Sequence, residues 1–223
     1  MLGLPRLHLS STDSTSDRAR DLADRGAPHG TLVTALEQSA GRGRQGRRWT
    51  APAGRGLLCS LVIRDPPRLL SLAAGVAVAE IVGVDARLKW PNDVLLGGSK
   101  VAGILVEGRP QEGWAVLGIG VNVALRTEDF PAELRDQAGT LGLGMGEVEP
   151  SLERLLRALE RWIAVDAQTV LAGVRERDAL RGRPVRWAGG NGVGAGIDDA
   201  GRLVVVMASG RTALEAGEVH LAE

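Results

Sequence analysis

The chain has 223 residues, 44% of them hydrophobic, enough for one large domain with a substantial core and a small one beside it. Twenty-seven basic residues cancel 27 acidic ones, a balance that argues against a dedicated nucleic-acid binder. Cys59 is the only cysteine and His8, His29 and His220 are scattered, which excludes a disulfide framework and a cysteine- or histidine-built metal cluster; no apolar stretch is long and uncharged enough to suggest a membrane span, so a cytoplasmic protein is expected.

In chain order, Arg6 to Ser10 can form a first strand, and the hydroxyl-rich SSTDST offers caps for a helix over Ser16 to Arg25, where Ala19, Leu22 and Ala23 share a face. A helix start also presents free N–H groups, so this segment can cap and face a ligand at once. Thr31 to Glu37 reads as a strand that leads into EQSAGRGRQGRRW, where Gly41, Gly43 and Gly46 are interleaved with Arg42, Arg44, Arg47 and Arg48 and no acidic residue follows Glu37. Glycine permits close backbone approach, and guanidinium groups match carboxylate and phosphate oxygens, so the loop can fold over an anion. On its own it reads equally as a solvated basic loop or an RG-rich segment that touches nucleic acid. Three glycines and four like charges predict a segment that gains order from an anion.

Gly56 to Ile63 is an apolar strand with Cys59 buried in it, and Arg68 to Val82 is a nearly uncharged helix for the face of a sheet. Leu88 to Asp93 (LKWPND), the run VLL, the Gly97-Gly98 turn and SKVAGILVE read as a β-hairpin with Pro91 as a stiff corner. Among 25 arginines the chain has two lysines, Lys89 and Lys100, and both fall on this hairpin. Two of the three asparagines are Asn92 and Asn122, the second ending the strand GIGVN. Where arginine serves every general need for charge, the remaining lysines become candidates for chemistry. Residues 126 to 148 are loop-rich, and Leu152 to Leu180 is amphipathic and suited to core packing. From Arg183 short strands alternate with glycine turns in the pattern of a small β-barrel. The boundary is placed so that 1–178 form one domain and 179–223 the other.

These pieces, in this order, resemble the biotin–protein ligase family: GRGRQGRRW, KWPND, SKVAGILVE, GIGVNV and the tail GRPV, GIDDAGRL and AGEVHL. The resemblance implies an α+β fold: a class II synthetase-like catalytic domain with a mixed, mainly antiparallel sheet, followed by an SH3-like barrel. It implies that biotin and ATP give biotinyl-5′-AMP, and that biotin then passes to a lysine of a biotin carboxyl carrier domain of acetyl-CoA carboxylase. ATP with Mg²⁺ would be the cosubstrate, and the protein a monomer or homodimer. By the same resemblance Lys100 and Arg44 are catalytic. Ser14, Thr15, Ser16, Gln38, Gly41, Arg42, Gly43, Gly103 and Gly118 would line biotin together with Arg44 and Lys100, and Gln38 would meet its ureido ring. Arg47, Arg48, Asn92, Asp93 and Asn122 would serve ATP, with Asp93 assisting Mg²⁺ indirectly and Lys89 bracing the corner. Ser16 stands where the family carries Asn, and the spacing to Gln38 favours Ser14-Thr15-Ser16 over Ser11-Thr12-Asp13 as the matching register. Some members carry an N-terminal helix-turn-helix domain; this chain starts almost at the catalytic pattern, so neither DNA binding nor membrane association is expected. The nearest alternative is a lipoate–protein ligase-like acyltransferase of the same architecture.

Overall fold

The computed structural model describes residues 1–109, 112–215 and 217–222. Seven strands form one mixed sheet: β1 (Arg6–Thr12), β2 (Leu32–Gln38), β3 (Gly56–Arg64), β4 (Arg87–Lys89), β5 (Asp93–Leu96), β6 (Ser99–Arg109) and β7 (Trp114–Asn122). Their order is β1-β2-β3-β7-β6-β5-β4, with β1 parallel to β2 and each other neighbouring pair antiparallel. The parallel pair needs a crossover, supplied by α1 (Thr15–Asp24).

The two faces of this sheet carry different chemistry, and the two-residue period of the strands sets which is which. Leu57, Cys59, Leu61 and Ile63 of β3, with Ala115, Leu117, Ile119 and Val121 of β7, belong to the main apolar cluster. That cluster is built against α2 (Leu70–Val82), which is apolar on nearly every side because α3 (Val148–Ala164) and α4 (Ala167–Glu176) cover its back. The amphipathic stretch from Leu152 is therefore two helices. The break falls at Asp166, whose carboxylate accepts from Thr169 N (3.0 Å) and Thr169 Oγ1 (2.8 Å) and so caps α4.

On the opposite face a smaller cluster joins Ala19 and Ala23 of α1 to Val33, Val62, Trp114 and Val116. Farther along the same face β7 presents Gly118 and Gly120, β6 presents Gly103 and β3 presents Ser60. Glycine in the middle of buried strands gives up side-chain packing, and here the volume it leaves open is a cavity rather than core.

Strands β8 (Pro184–Trp187), β9 (Gly190–Ile197), β10 (Leu203–Met207), β11 (Gly210–Leu214) and β12 (His220–Leu221) follow. The predicted barrel is, among the described residues, a five-stranded antiparallel sheet in the order β11-β10-β9-β8-β12, with no pairing that closes the ring. Leu180, Val185, Ile197, Leu203, Val205 and Val219 belong to the same apolar cluster as α2. Trp90 Nε1 donates to Gly201 O at 3.0 Å and Arg175 Nε to Ile197 O at 2.8 Å, so the second sheet is joined to the first part by core and by hydrogen bonds. No described helix is long and apolar enough to cross a membrane.

Candidate active site

The glycine-lined face opens into a cavity of about 560 Å³, within the range of small-molecule sites. Its floor is neutral. Thr15 and Ser16 stand in the first turn of α1, where Ser14 occupies the N-cap without a side-chain cap bond and Asp13 Oδ1 accepts from Ser14 N at 2.8 Å. Freed from capping, Thr15 and Ser16 turn toward the sheet. Thr15 N and Oγ1 both donate to Gln38 Oε1 (2.7 and 3.0 Å), Thr15 Oγ1 lies 2.8 Å from Ser60 Oγ, and Ser16 Oγ lies 3.1 Å from Ser60 Oγ. A Cβ on Gly118 would stand 2.7 Å from Ser16 Oγ, so glycine is what lets this cluster lie against β7. Ser14, by contrast, is buried outside the cavity lining, as Gly41 is, while Ser11 and Thr12 lie on β1. Cys59 borders the cavity from β3, but its side chain belongs to the apolar cluster behind the sheet, where burial pushes the thiol up to about 12.

The mouth is charged. The loop between β2 and β3 is a folded turn: Gly43 N donates to Arg47 O (2.7 Å), Arg47 N to Arg44 O (3.2 Å) and Trp49 N to Gly41 O (2.9 Å). Gly46, at φ +74°, turns in the left-handed region that favours glycine. The loop's charges are held by side chains from distant segments. Arg42 donates to Asp17 Oδ1 and Glu107 Oε1, both at 2.7 Å, and Arg20 pairs with the same two residues, giving a ring of two cations and two anions. Arg44 donates to Asn92 Oδ1 at 2.9 Å and to Gly217 O at 3.4 Å, and Arg47 pairs with Glu218.

Trp49 closes the loop over the glycines. A Cβ on Gly120 would lie 2.9 Å from Trp49 Cδ2 and nearer still to Cε2 and Nε1, and one on Gly103 would lie 3.0 Å from Cζ3. Gly103 and Gly120 are register partners, so the indole rests on a bed that two adjacent strands leave bare. Its Nε1 is buried with no hydrogen-bond partner among the described residues. Lys100 Nζ sits 5.5 Å from the centre of that ring and 2.6 Å from Asp93 Oδ1, a compact ammonium between an aromatic face and a carboxylate. Burial pushes the nearby Lys89 ammonium below the usual lysine range, with Asp93 opposing that shift.

Asn92 and Asn122 differ in what they are free to do. Asn92 Nδ2 donates to Ile104 O at 3.0 Å, which aims its oxygen at Arg44. Asn122 Nδ2 donates to Gly139 O at 2.8 Å, tying down residues 137–141, whose Gln137 O and Gly139 N bond the backbone of Lys100. The structure thus brings Thr15, Ser16, Gln38, Gly103 and Gly118 to the floor, and the loop arginines, Gly43, Asn92, Asp93, Lys100 and Asn122 to the mouth and wall. Sequence reasoning missed Ser60, Trp49 as a wall, and Glu218 and His220 from the second sheet. A lone hydroxyl in the run GLLCSLVI was the one signal available for Ser60.

Residues 9–123, which carry all of these elements except the second sheet and the 137–141 tie, match the biotin/lipoate A/B protein ligase family. The chain belongs to that family. A family relative, the biotin–acetyl-CoA-carboxylase ligase of Paracoccus denitrificans, is 37% identical over 95% of this chain and 98% of its own length. The bifunctional ligase/repressor BirA of Bacillus subtilis is 43% identical over 62% of this chain, and the match spans about half (46%) of that longer protein. Among family members of known structure, the biotin protein ligase of Aquifex aeolicus in complex with biotin and ATP superposes with a TM-score of 0.82 at 27% identity, covering 99% of this chain and 100% of that one.

Proposed function

We propose that the chain is a biotin–protein ligase that activates biotin with ATP to biotinyl-5′-AMP and pyrophosphate, then transfers biotin to a lysine of a biotin carboxyl carrier domain. On this reading the seven-stranded sheet with its helices is the class II synthetase-like catalytic domain (1–178), and residues 179–223 are the counterpart of the family's SH3-like barrel. The observation that carries the proposal is the polarity of the cavity: a neutral hydroxyl and amide floor at one end, an ammonium and guanidinium mouth at the other. A substrate with an uncharged hydrogen-bonding head and a carboxylate tail fits that axis. The dithiolane head of lipoate carries no hydrogen-bonding group for the floor, which favours biotin over the lipoate alternative.

In the first step the biotin carboxylate attacks the α-phosphorus and pyrophosphate leaves. Two anions must approach, so the ground state repels itself and the transition state gathers charge on the α-phosphate oxygens. Lys100, with Arg44 beside it, supplies fixed positive charge where that repulsion is greatest. Trp49 and the loop exclude water that would hydrolyse the mixed anhydride. In the second step the carrier lysine attacks the acyl carbon and AMP leaves. Mg²⁺ would enter with the triphosphate. The described residues offer no cluster of three metal-binding side chains, and Asp93, whose Oδ1 pairs with Lys100 Nζ at 2.6 Å, would assist a phosphate-borne Mg²⁺ indirectly. Incubation with MgATP, biotin or lipoate, and a carrier domain, read by intact mass, tests the proposal. One biotinyl adduct on the carrier lysine supports it, and lipoyl transfer without biotinyl transfer overturns it.

A further inference from the structure

Four groups on the floor form a hydrogen-bond chain with only one proton arrangement that makes every bond. Gln38 Oε1 accepts from the backbone Thr15 N–H at 2.7 Å, which fixes that atom as the amide oxygen, and an amide oxygen cannot donate. Thr15 Oγ1, 3.0 Å away, must therefore spend its one proton on Gln38. Ser60 Oγ, 2.8 Å from Thr15 Oγ1, must then donate to Thr15, and Ser16 Oγ, 3.1 Å from Ser60, must donate to Ser60. Thr15, Ser16 and Ser60 are 4%, 6% and 0% exposed, so bulk water does not compete for these protons. The Ser16 end of the chain is thereby polarised: its proton is spent on Ser60, and it turns lone pairs to the cavity.

We infer that Ser60, which does not itself need to touch the ligand, is a positioning residue that sets this polarity and so makes the floor selective for a head group offering an N–H donor to Ser16. The inference rests on the proposed biotin reading, since a cyclic urea has that pattern. A cyclic carbamate, with ring oxygen in place of one ureido N–H, places lone pairs against the lone pairs of Ser16. Ser60→Ala removes the acceptor that commits the Ser16 proton. Ser16 can then donate, and the penalty against the carbamate is relieved. No bulk is added, so the fold is kept.

The test measures biotin and its ring-carbamate analogue in ATP–pyrophosphate exchange with the parent and with Ser60→Ala. A second variant, Thr15→Val, strands the Ser60 proton so that it can turn onto Ser16 and free that hydroxyl. The parent is expected to favour the urea by at least about 30-fold in kcat/KM, and both variants to bring that preference within about threefold. The loss should lie in KM for biotin, with kcat near the parent's because Lys100 is untouched. A parent that activates biotin while the variants keep its full preference overturns the relay alone. A parent that activates neither ligand removes the functional reading and the relay with it.

Discussion

The floor and the mouth of the cavity are built from opposite materials. The floor holds buried hydroxyls, one amide and bare glycines, satisfied among themselves with no charge. The mouth holds Arg42 and Arg47, partly exposed and paired with Asp17, Glu107 and Glu218, and Lys100, paired with a mostly buried Asp93. The difference is energetic before it is chemical. Unpaired polar groups in the floor cost about 1–3 kcal/mol each, so its geometry is narrow and selective. Exposed ion pairs are worth about 0–1 kcal/mol, so the Arg47 pair can exchange its protein carboxylate for a ligand anion at little cost. One end is built to recognise and the other to be displaced.

The largest test of this contrast is Lys100→Arg. The charge is preserved, but a planar guanidinium cannot occupy the space between Asp93, the Trp49 ring and the Gly103 backbone, where a Cβ would already lie 3.4 Å from Nζ. Adenylation should fall by about 100-fold or more while biotin still binds, as expected when a fixed charge on the developing oxyanion is lost. Exchange rates within twofold of the parent would show that charge alone suffices at the mouth.

Gly120→Ala comes next and attacks the hinge between the two ends. The added methyl occupies the place of the Trp49 ring. Overpacking of this kind costs about 1–3 kcal/mol, which here falls on loop closure because Trp49 can leave while the strand cannot. Adenylate affinity should drop by roughly tenfold with the melting temperature near the parent's. A fall in melting temperature without loss of affinity would make the glycine bed merely structural.

Much of this site was legible in the sequence because its chemistry is concentrated in short runs. The basic loop, the lysine hairpin and the GIGVN strand announce themselves by composition, and alternation places the strands. What stayed hidden depends on partners far away in the chain. Ser60 looks like a tolerated hydroxyl until α1 brings Thr15 and Ser16 against it, and residues 137–141 have no periodicity because their order comes from bonds to Lys100 and Asn122. The loop's compensation was hidden for the same reason, since Asp17 lies on α1, Glu107 on β6 and Glu218 in the segment before β12. Of the four loop arginines, Arg42 and Arg47 find carboxylate partners elsewhere in the fold, and Arg44 finds the amide oxygen of Asn92.

Glu218→Gln sharpens the view of the mouth. It removes the anion of Arg47 and leaves an amide of the same shape. Because the pair is partly exposed, stability should change by less than about 1 kcal/mol. Release of biotinyl-AMP should change by a few-fold, and that difference should shrink as salt rises and screens the loop. A salt-independent effect would mean that Glu218 holds the second sheet in place rather than balancing charge.

The smallest expected effect is at Cys59, and it tests whether the apolar layer directly behind the floor excludes charge. The thiol is 1% exposed, and burial pushes it up to about 12. Thiolate is the reactive species, so a thiol held neutral and shielded should not react at all on the timescale that labels a free cysteine. Native protein at pH 8 should take up no maleimide, and the same protein in denaturant should take up one equivalent, a clean readout because the chain has a single cysteine. The sign of the pH dependence follows from the direction of the shift. The folded state keeps the thiol proton to higher pH than the unfolded chain does, so this contribution to stability is intact below the ordinary thiol range. It is eroded as pH climbs from there toward about 12. Labelling of the native protein at pH 8 would show that the apolar layer behind the floor opens to water, and the floor it backs would then be less sharply set apart from the mouth.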